Sequence, residues 1–210
     1  MSLDDYIEDH ISEEPEQLAR IFRNTCLYHL YPRMCSGHVQ GRLLKMLTSM
    51  VAPHRILELG AYTGYSTLCM AEGMPADCVL HTVEIDDENE DELRREFALH
   101  PAADRIRLHI GDALDIVPVI DERWDMVFID ANKRLYVEYL EMILPRMRPG
   151  GYILADNTLW GGKVGDPSAR PDPQTEGIRR FNDFVARHPA LETAIVPVRD
   201  GLTILRVIDQ

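Results

Sequence analysis

Arg55-Ile56-Leu57-Glu58-Leu59 runs directly into Gly60-Ala61-Tyr62-Thr63-Gly64-Tyr65-Ser66, and this junction decides how the rest of the chain reads. The first five residues have the length and apolar bulk of a buried strand. Gly60 and Gly64 let the backbone turn sharply and approach a ligand closely. A helical stretch follows near 66–72. Outward from this unit, apolar runs of strand length recur at 79–85, 106–110, 126–130 and 152–155. Helical stretches near 88–100, 114–120 and 135–147 separate them. That alternation is the signature of a parallel sheet covered by helices. Pro149-Gly150-Gly151 reads as a turn into the fifth strand.

Upstream, residues 1 to about 52 read as helices, with helical apolar spacing at 15–22 and 41–47. Downstream of Asn157 the pattern changes. The Gly- and Pro-rich segment 160–173 reads as a long surface loop, of the kind that serves as a lid or binding segment. A helix is expected at 175–186, then strands at 192–196 and 202–208 joined through Arg199-Asp200-Gly201, a hairpin signal. The expected fold is α/β: seven strands, mostly parallel, ending in an antiparallel hairpin, with helices on both faces. One domain spans 1–210, and 1–52 forms an N-terminal helical cap.

Composition narrows the classes of function. The chain has 210 residues, 45% hydrophobic and 27% charged, which is ordinary for a globular protein. No window is apolar over the roughly 18 residues that a membrane span needs, and Met1 to Tyr6 lack the blocks of a signal peptide. Cys26, Cys35, Cys69 and Cys78 form no CxxC pair, so reduced thiols and a cytoplasmic location are expected. The net charge of −13 argues against a nucleic-acid backbone as partner. Much of the acid is local, in Asp4, Asp5, Glu8, Asp9, Glu13, Glu14 and Glu16 and again at 86–92, and both runs read as solvated helix faces.

The strand ends carry the chemistry. In a parallel sheet they form the crevice where ligands sit. Gly60 and Gly64 are spaced G-x-x-x-G, not the G-x-G-x-x-G of a pyrophosphate-binding turn, which points to a nucleoside without a diphosphate. Glu84, ending the second strand, is placed to accept hydrogen bonds from ribose hydroxyls, and Gly111-Asp112-Ala113 would flank a base. Asp130 ends the run Val127-Phe128-Ile129, and Asp156-Asn157 ends Tyr152-Ile153-Leu154-Ala155. Ionised carboxylates at buried strand ends need a partner. Two carboxylates and an amide oxygen would suit a hard cation such as Mg²⁺ or Ca²⁺, with Lys133 as a candidate base.

Glu58 to Ser66, Phe128-Ile129-Asp130-Ala131-Asn132-Lys133, Asp156-Asn157-Thr158-Leu159-Trp160 and Asp200-Gly201-Leu202-Thr203-Ile204 together resemble the divalent-metal-dependent O-methyltransferases. These are class I, S-adenosylmethionine-dependent enzymes of the caffeoyl-CoA and catechol O-methyltransferase kind. The resemblance runs from about Met34 to the C-terminus and implies a Rossmann-like methyltransferase fold. It also implies roles. Glu58, Gly60, Ala61 and Ser66 would hold the methionine end of S-adenosylmethionine. Glu84 would bind its ribose, Asp112 and Ala113 its adenine, and Ser36 would close over it. Asp130, Asp156 and Asn157 would bind Mg²⁺ or another divalent cation, and Lys133 would be the base. Asn132 stands where the plant enzymes carry an aspartate near the cofactor. Gly161 stands where they place a substrate-contacting asparagine, which puts the plant substrate in doubt.

The expected reaction is methyl transfer to one hydroxyl of a small vicinal-dihydroxy aromatic compound. Asp130 and Lys133 would be catalytic, with Met34 and Trp160 against the acceptor; for Met34 the alternative is core packing, and for Trp160 a hydrophobic staple of the loop. His38 reads as an exposed loop histidine. A second reading keeps the chemistry but makes hydroxyuridine in tRNA the acceptor, which needs a basic surface such as Lys163, Arg170, Arg179 and Arg180. A third is a non-catalytic S-adenosylmethionine-binding protein. A homodimer is the expected assembly.

Overall fold

The computed structural model describes residues 2–170 and 172–208. Met1, the Asp4 side chain, Pro171 of the expected loop, and Asp209 and Gln210 at the end of the expected domain lie outside the described residues. Three helices come first: α1 (Leu3–Glu8), α2 (Glu16–Tyr28) and α3 (Gly37–Val51), with a 3₁₀ turn at Pro32–Met34 between the last two. The alternating part follows as β1 (Arg55–Leu59), α4 (Tyr65–Gly73), β2 (Val79–Glu84), α5 (Glu90–Ala98), β3 (Ile106–Ile110), α6 (Ala113–Ile116), β4 (Trp124–Ile129), α7 (Tyr136–Ile143) and β5 (Met147–Ala155). The chain then runs through 3₁₀ turns at Trp160–Gly165 to α8 (Pro173–Arg187), β6 (Leu191–Val196) and β7 (Leu202–Val207).

The strands form one seven-stranded sheet in the order β3-β2-β1-β4-β5-β7-β6. The first five are mutually parallel, and β7 is antiparallel to both β5 and β6. The strand order reverses at β1 and β4, which places the junction opened by Gly60 at the crevice of the sheet.

Alternation along the strands separates two apolar layers. Ile56, Leu80, Met126, Phe128 and Leu154 face α2, α3, α4 and α5, where Leu18, Ile21, Leu44, Leu68 and Phe97 are buried. Leu57, Leu59, Val127, Ile129 and Ile153 face the other way, onto Val117, Leu140, Ile143, Ile178 and Phe181. The N-terminal helices therefore share the core of the sheet.

The structure corrects several expected boundaries. β4 begins at Trp124, two residues earlier than the apolar pattern indicates. Pro149-Gly150-Gly151 is no turn: β5 begins at Met147 and carries these residues inside it, with a register shift against β4 between Trp124 and Met126. Gly150 takes φ +81 there, so a bulge replaces the expected break. The helices expected at 114–120 and 135–147 are shorter. α6 gives way to a 3₁₀ turn containing Pro118, and α7 to one containing Pro145, because proline removes a backbone donor and crowds the preceding turn. The segment after Trp160 is partly ordered into 3₁₀ turns that Gly161 and Gly162 allow through positive φ. Glu14 departs from its solvated run, since it accepts a hydrogen bond from the Tyr65 hydroxyl. His38 lies in α3, half-buried, its Nε2 2.8 Å from the Ser12 carbonyl, and not in an exposed loop.

Candidate active site

The C-terminal ends of β1 to β5 open into one cleft of about 810 Å³. Its floor comes from Gly60, Glu84, Asp112, Ala113, Asp130 and Asp156. Its sides come from a strap between α2 and α3 that includes Arg33, Met34 and Ser36, from Asn132, Lys133 and Arg134 after β4, from Asn157 and Trp160 after β5, and from Arg199 and Asp200 in the hairpin turn. Ser66, at the start of α4, also lines it.

Of the residues expected at the site, Glu58 and Ala61 are the two that do not line the cleft. Glu58 is fully buried behind it, accepting from Ser66 Oγ and Thr82 Oγ1, both at 2.6 Å, and from the Thr67 hydroxyl. Burial pushes its carboxyl up to about 7 against those three hydroxyl donors. Its direct partner is Ser66, which does face the cleft.

At the ends of β2 and β3, backbone donors fix the acids in place. Glu84 Oε2 accepts from Tyr62 N at 2.6 Å and Oε1 from Asp86 N at 3.0 Å. Asp112 caps α6, accepting from Leu114 N at 2.8 Å. Asn132 caps the next 3₁₀ turn, accepting from Arg134 N at 3.2 Å. Each acid keeps lone pairs free toward the cleft.

The carboxylate side brings together what the sequence placed on separate strands. Asp130 Oδ1 accepts from Lys133 Nζ at 2.6 Å, in a pair that is largely shielded from solvent. Asp156 is 2% exposed. Its Oδ2 accepts from Gln40 Nε2 at 2.7 Å and its Oδ1 from Asn157 N at 2.7 Å. Burial, and then the facing charge of Asp130, raise the Asp156 carboxyl above the ordinary carboxylate range. Asn157 itself is held at φ +58, in the left-handed region that non-glycine residues rarely adopt. The Tyr136 hydroxyl lies 3.2 Å from the Ile129 carbonyl and 3.1 Å from that of Asp156, tying the ends of β4 and β5 together.

A buried Asp156 carboxyl that faces the charge of Asp130 makes a favourable seat for a cation. With the Asn157 amide beside them, the set is all oxygen, which suits a hard divalent ion. No group of three or more His, Cys, Asp or Glu among the described residues is arranged to hold a metal. The candidate set rests on two carboxylates and one amide.

Sequence reading missed Gln40, Tyr136, Arg33, Arg134 and Arg199. Gln40 is fully buried in α3, as Thr48 is and Arg42 nearly is, and nothing local in the sequence sets it apart. Arg199 gave no signal either, because its left-handed φ of +47 is a property of the folded hairpin turn. Its guanidinium donates to the Ser36 carbonyl and, at 3.4 Å, to that of Arg33, so the hairpin holds the strap. Met34 is exposed at the cleft and is not part of the core. The expected basic surface after Trp160 is largely neutralised. Lys163 lies 3.8 Å from Asp172, Arg179 pairs with Glu176 at 2.8 Å, and Arg180 pairs with Glu138.

Residues 8–208 match the O-methyltransferase family. Catechol O-methyltransferase of Niastella koreensis is 33% identical over 93% of this chain and 89% of its own length. Caffeoyl-CoA O-methyltransferase 1 of Arabidopsis thaliana is 32% identical over 93% of this chain and 79% of its own. Among solved structures, the O-methyltransferase TomG of Streptomyces achromogenes, involved in tomaymycin synthesis and in complex with SAM, superposes with a TM-score of 0.91. It is 31% identical, with 99% of this chain and 96% of that one covered. The O-methyltransferase of Bacillus cereus in complex with SAH gives a TM-score of 0.89 at 29% identity, covering 98% and 96%.

Proposed function

The chain belongs to the S-adenosylmethionine-dependent O-methyltransferases, and from that premise we propose that it methylates one hydroxyl of a small vicinal-dihydroxy aromatic compound with the help of a divalent cation. The observation that carries this reading is the convergence of Asp130 and Asp156 at adjacent strand ends, with Asn157 and Lys133 beside them. Asp130, Asp156 and Asn157 would hold the ion, Mg²⁺ being the simplest choice. When bound, such an ion gathers two adjacent hydroxyls at one place and makes one of them more acidic.

The chain's own groups supply the rest. Lys133 Nζ lines the cleft beside Asp130, and in its neutral amine form, with Asp130 given over to the cation, it would receive the proton that the acceptor hydroxyl gives up. The resulting oxyanion would take the methyl group from the sulfonium, the C–O bond forming as the C–S bond breaks and the sulfur leaving as a neutral thioether, so charge is quenched. Ser36, Gly60, Ser66, Glu84, Asp112, Ala113 and Asn132 orient the nucleoside and methionine ends of the cofactor. Ala61 and Glu58 act from behind, Glu58 by fixing the Ser66 hydroxyl. Met34 and Trp160 offer an apolar and an aromatic face to a planar acceptor. Orienting both partners in contact contributes several kcal/mol of barrier reduction, with roughly 7–11 as a ceiling.

The small acceptor is favoured over tRNA because Lys163, Arg179 and Arg180 are occupied by acids or backbone carbonyls. We also read residues 1–210 as one domain with 1–52 as its cap. The exposed Leu27, Tyr28, Leu30 and Tyr31 support a homodimer contact, and four free thiols support a reducing, cytoplasmic setting. No helix among the described residues is long and apolar enough to cross a membrane. The test is a panel of catechols, flavonoids and hydroxyuridine-containing tRNA assayed with labelled S-adenosylmethionine, with and without chelator. Turnover of a catechol that chelator abolishes and Mg²⁺ restores is the expected result. Chelator-insensitive turnover rules out the metal, and turnover of tRNA alone rules out the small acceptor.

A further inference from the structure

The charges lining the cleft are not all matched. Of its acids, Asp130 is paired with Lys133, Asp156 is bonded to Gln40 and Asn157 N, Glu84 and Asp112 accept from backbone N–H groups, and the Asp200 side chain has no partner among the described residues. The arginines divide in the same way. Arg199 spends its guanidinium on the carbonyls of Ser36 and Arg33. Arg33, in the 3₁₀ turn of the strap, and Arg134, in the turn after β4, make no ion pair and no side-chain hydrogen bond among the described residues, yet both line the cleft. Other guanidiniums are paired, as Arg42 with Glu72 at 2.9 Å and Arg55 with Glu122 at 2.9 Å, while Arg23, Arg95, Arg123 and Arg170 have no side-chain partner among the described residues but lie off the cleft. Arg33 and Arg134 are the unpaired guanidiniums that line it. Their planar forks match the two oxygens of a carboxylate or phosphate.

Their placement is also specified. Arg199 is retained at φ +47 in a turn, and from there it pins the backbone of the strap that carries Arg33. Gly177 fixes the other side, because a Cβ built there would lie 2.4 Å from the Lys133 carbonyl and 2.7 Å from Arg134 Cα. The turn bearing Arg134 is therefore seated tightly against α8. Both arginines sit on anchored backbone, and Met34 and Trp160 line the same cleft as apolar company.

We infer that Arg33 and Arg134 form an anion subsite, so that the methyl acceptor carries a carboxylate or phosphate group in addition to its adjacent hydroxyls. This rests on the acceptor reading above. The test uses three probes with the same dihydroxyphenyl ring: 3,4-dihydroxybenzoate, the matching phosphonate, and the neutral 3,4-dihydroxybenzamide. Initial rates with Mg²⁺ and S-adenosylmethionine, and calorimetric binding in the presence of S-adenosylhomocysteine, are measured for the full chain and for Arg33→Gln, Arg33→Lys and Arg134→Gln. An acid is expected to exceed the amide at least tenfold in kcat/KM, chiefly through KM, and the preferred acid tells carboxylate from phosphate. Each Gln variant should bring the acid-to-amide ratio toward one, with Arg33→Lys recovering part of it.

Equal use of acid and amide by the unaltered chain overturns the subsite while leaving the dihydroxy acceptor standing. So does a Gln variant that loses acid and amide equally, or one whose main defect is a raised KM for S-adenosylmethionine, since Arg33 or Arg134 would then belong to the fold or to the cofactor. If none of the three probes is methylated, the acceptor reading fails. Calorimetry then decides the subsite by itself: tighter binding of an acid than of the amide upholds it, and equal binding removes it.

Discussion

Gln40 Nε2 stands 2.7 Å from Asp156 Oδ2, joining a helix of the N-terminal segment to the end of β5 across 116 positions of sequence. Both side chains are almost wholly buried. A neutral amide donor steadies the carboxylate without cancelling its charge, which keeps Asp156 available to a cation. The Gln40 Oε1 atom is in turn 3.5 Å from Arg199 Nη1, which orients the amide. Outer partners of metal ligands typically contribute 10–100-fold in affinity. Gln40→Leu should therefore weaken divalent-ion binding by about tenfold or more, measured by calorimetry on folded protein, while binding of S-adenosylmethionine changes much less. Unaltered ion affinity would show that Gln40 serves packing alone.

Lys133→Ala removes the proposed proton acceptor, the side chain that pairs with Asp130 in this structure. Turnover should fall by about 10²–10⁴-fold, the range usual for loss of a general base. Equilibrium binding of S-adenosylmethionine should stay within a few-fold of its starting value. An equal loss of turnover and cofactor binding would make Lys133 structural. Retained turnover would give the proton to another group.

The site was legible wherever a strand end carried its own chemistry. Asp130, Asp156-Asn157, Glu84 and Asp112 each close a short apolar run, so strand periodicity alone put them on one rim. Gln40, Tyr136 and Arg199 were not legible in that way. Their importance comes from contacts across the fold, Gln40 to Asp156 and Tyr136 to the ends of β4 and β5, and local periodicity does not encode such contacts. Glu58 misled in the opposite direction. It stands beside the glycine turn, but strand alternation points it away from the cleft and onto the hydroxyls of α4 and β2. The start of β5 was hidden by Pro149-Gly150-Gly151, residues that mark turns in most settings and here form a bulge inside a paired strand.

Acid should destabilise the sheet through His81. Its Nδ1 lies 3.1 Å from His109 Nε2, and the two rings stack at 5.2 Å. Burial, then the neighbouring His109, push His81 down to about 4, with Arg107 and Arg55 acting the same way and Glu122 opposing them. A depressed folded-state value means that the neutral ring's contribution is complete above the unfolded value near 6.5. It is lost as pH falls from there through about 4. Because His81 is only partly buried, solvent screening limits the effect to about 1–2 kcal/mol. Denaturant unfolding between pH 7 and pH 4 should show a steeper loss for the unaltered chain than for His81→Gln. Parallel curves would remove His81 as the cause.

Gly60→Ala tests the link between the glycine turn and the carboxylate wall. Gly60 adopts φ +95, and a Cβ there would lie 2.3 Å from the Asp130 carbonyl oxygen, far inside contact distance. Neither atom yields easily, because Gly60 N donates to the Val83 carbonyl at 2.8 Å and Asp130 N to that of Leu59 at 2.9 Å. Backbone strain and overpacking act together, so a loss on the order of 3 kcal/mol is expected. Relief would have to come from moving the end of β4 away from β1, which carries the Asp130 carboxylate with it. The variant should therefore lose divalent-ion affinity as well as S-adenosylmethionine affinity, although Gly60 is proposed to serve the cofactor and not the ion. Thermal unfolding and two separate titrations measure this. Loss of cofactor binding with ion affinity intact would show that Asp130 holds its position independently of the turn.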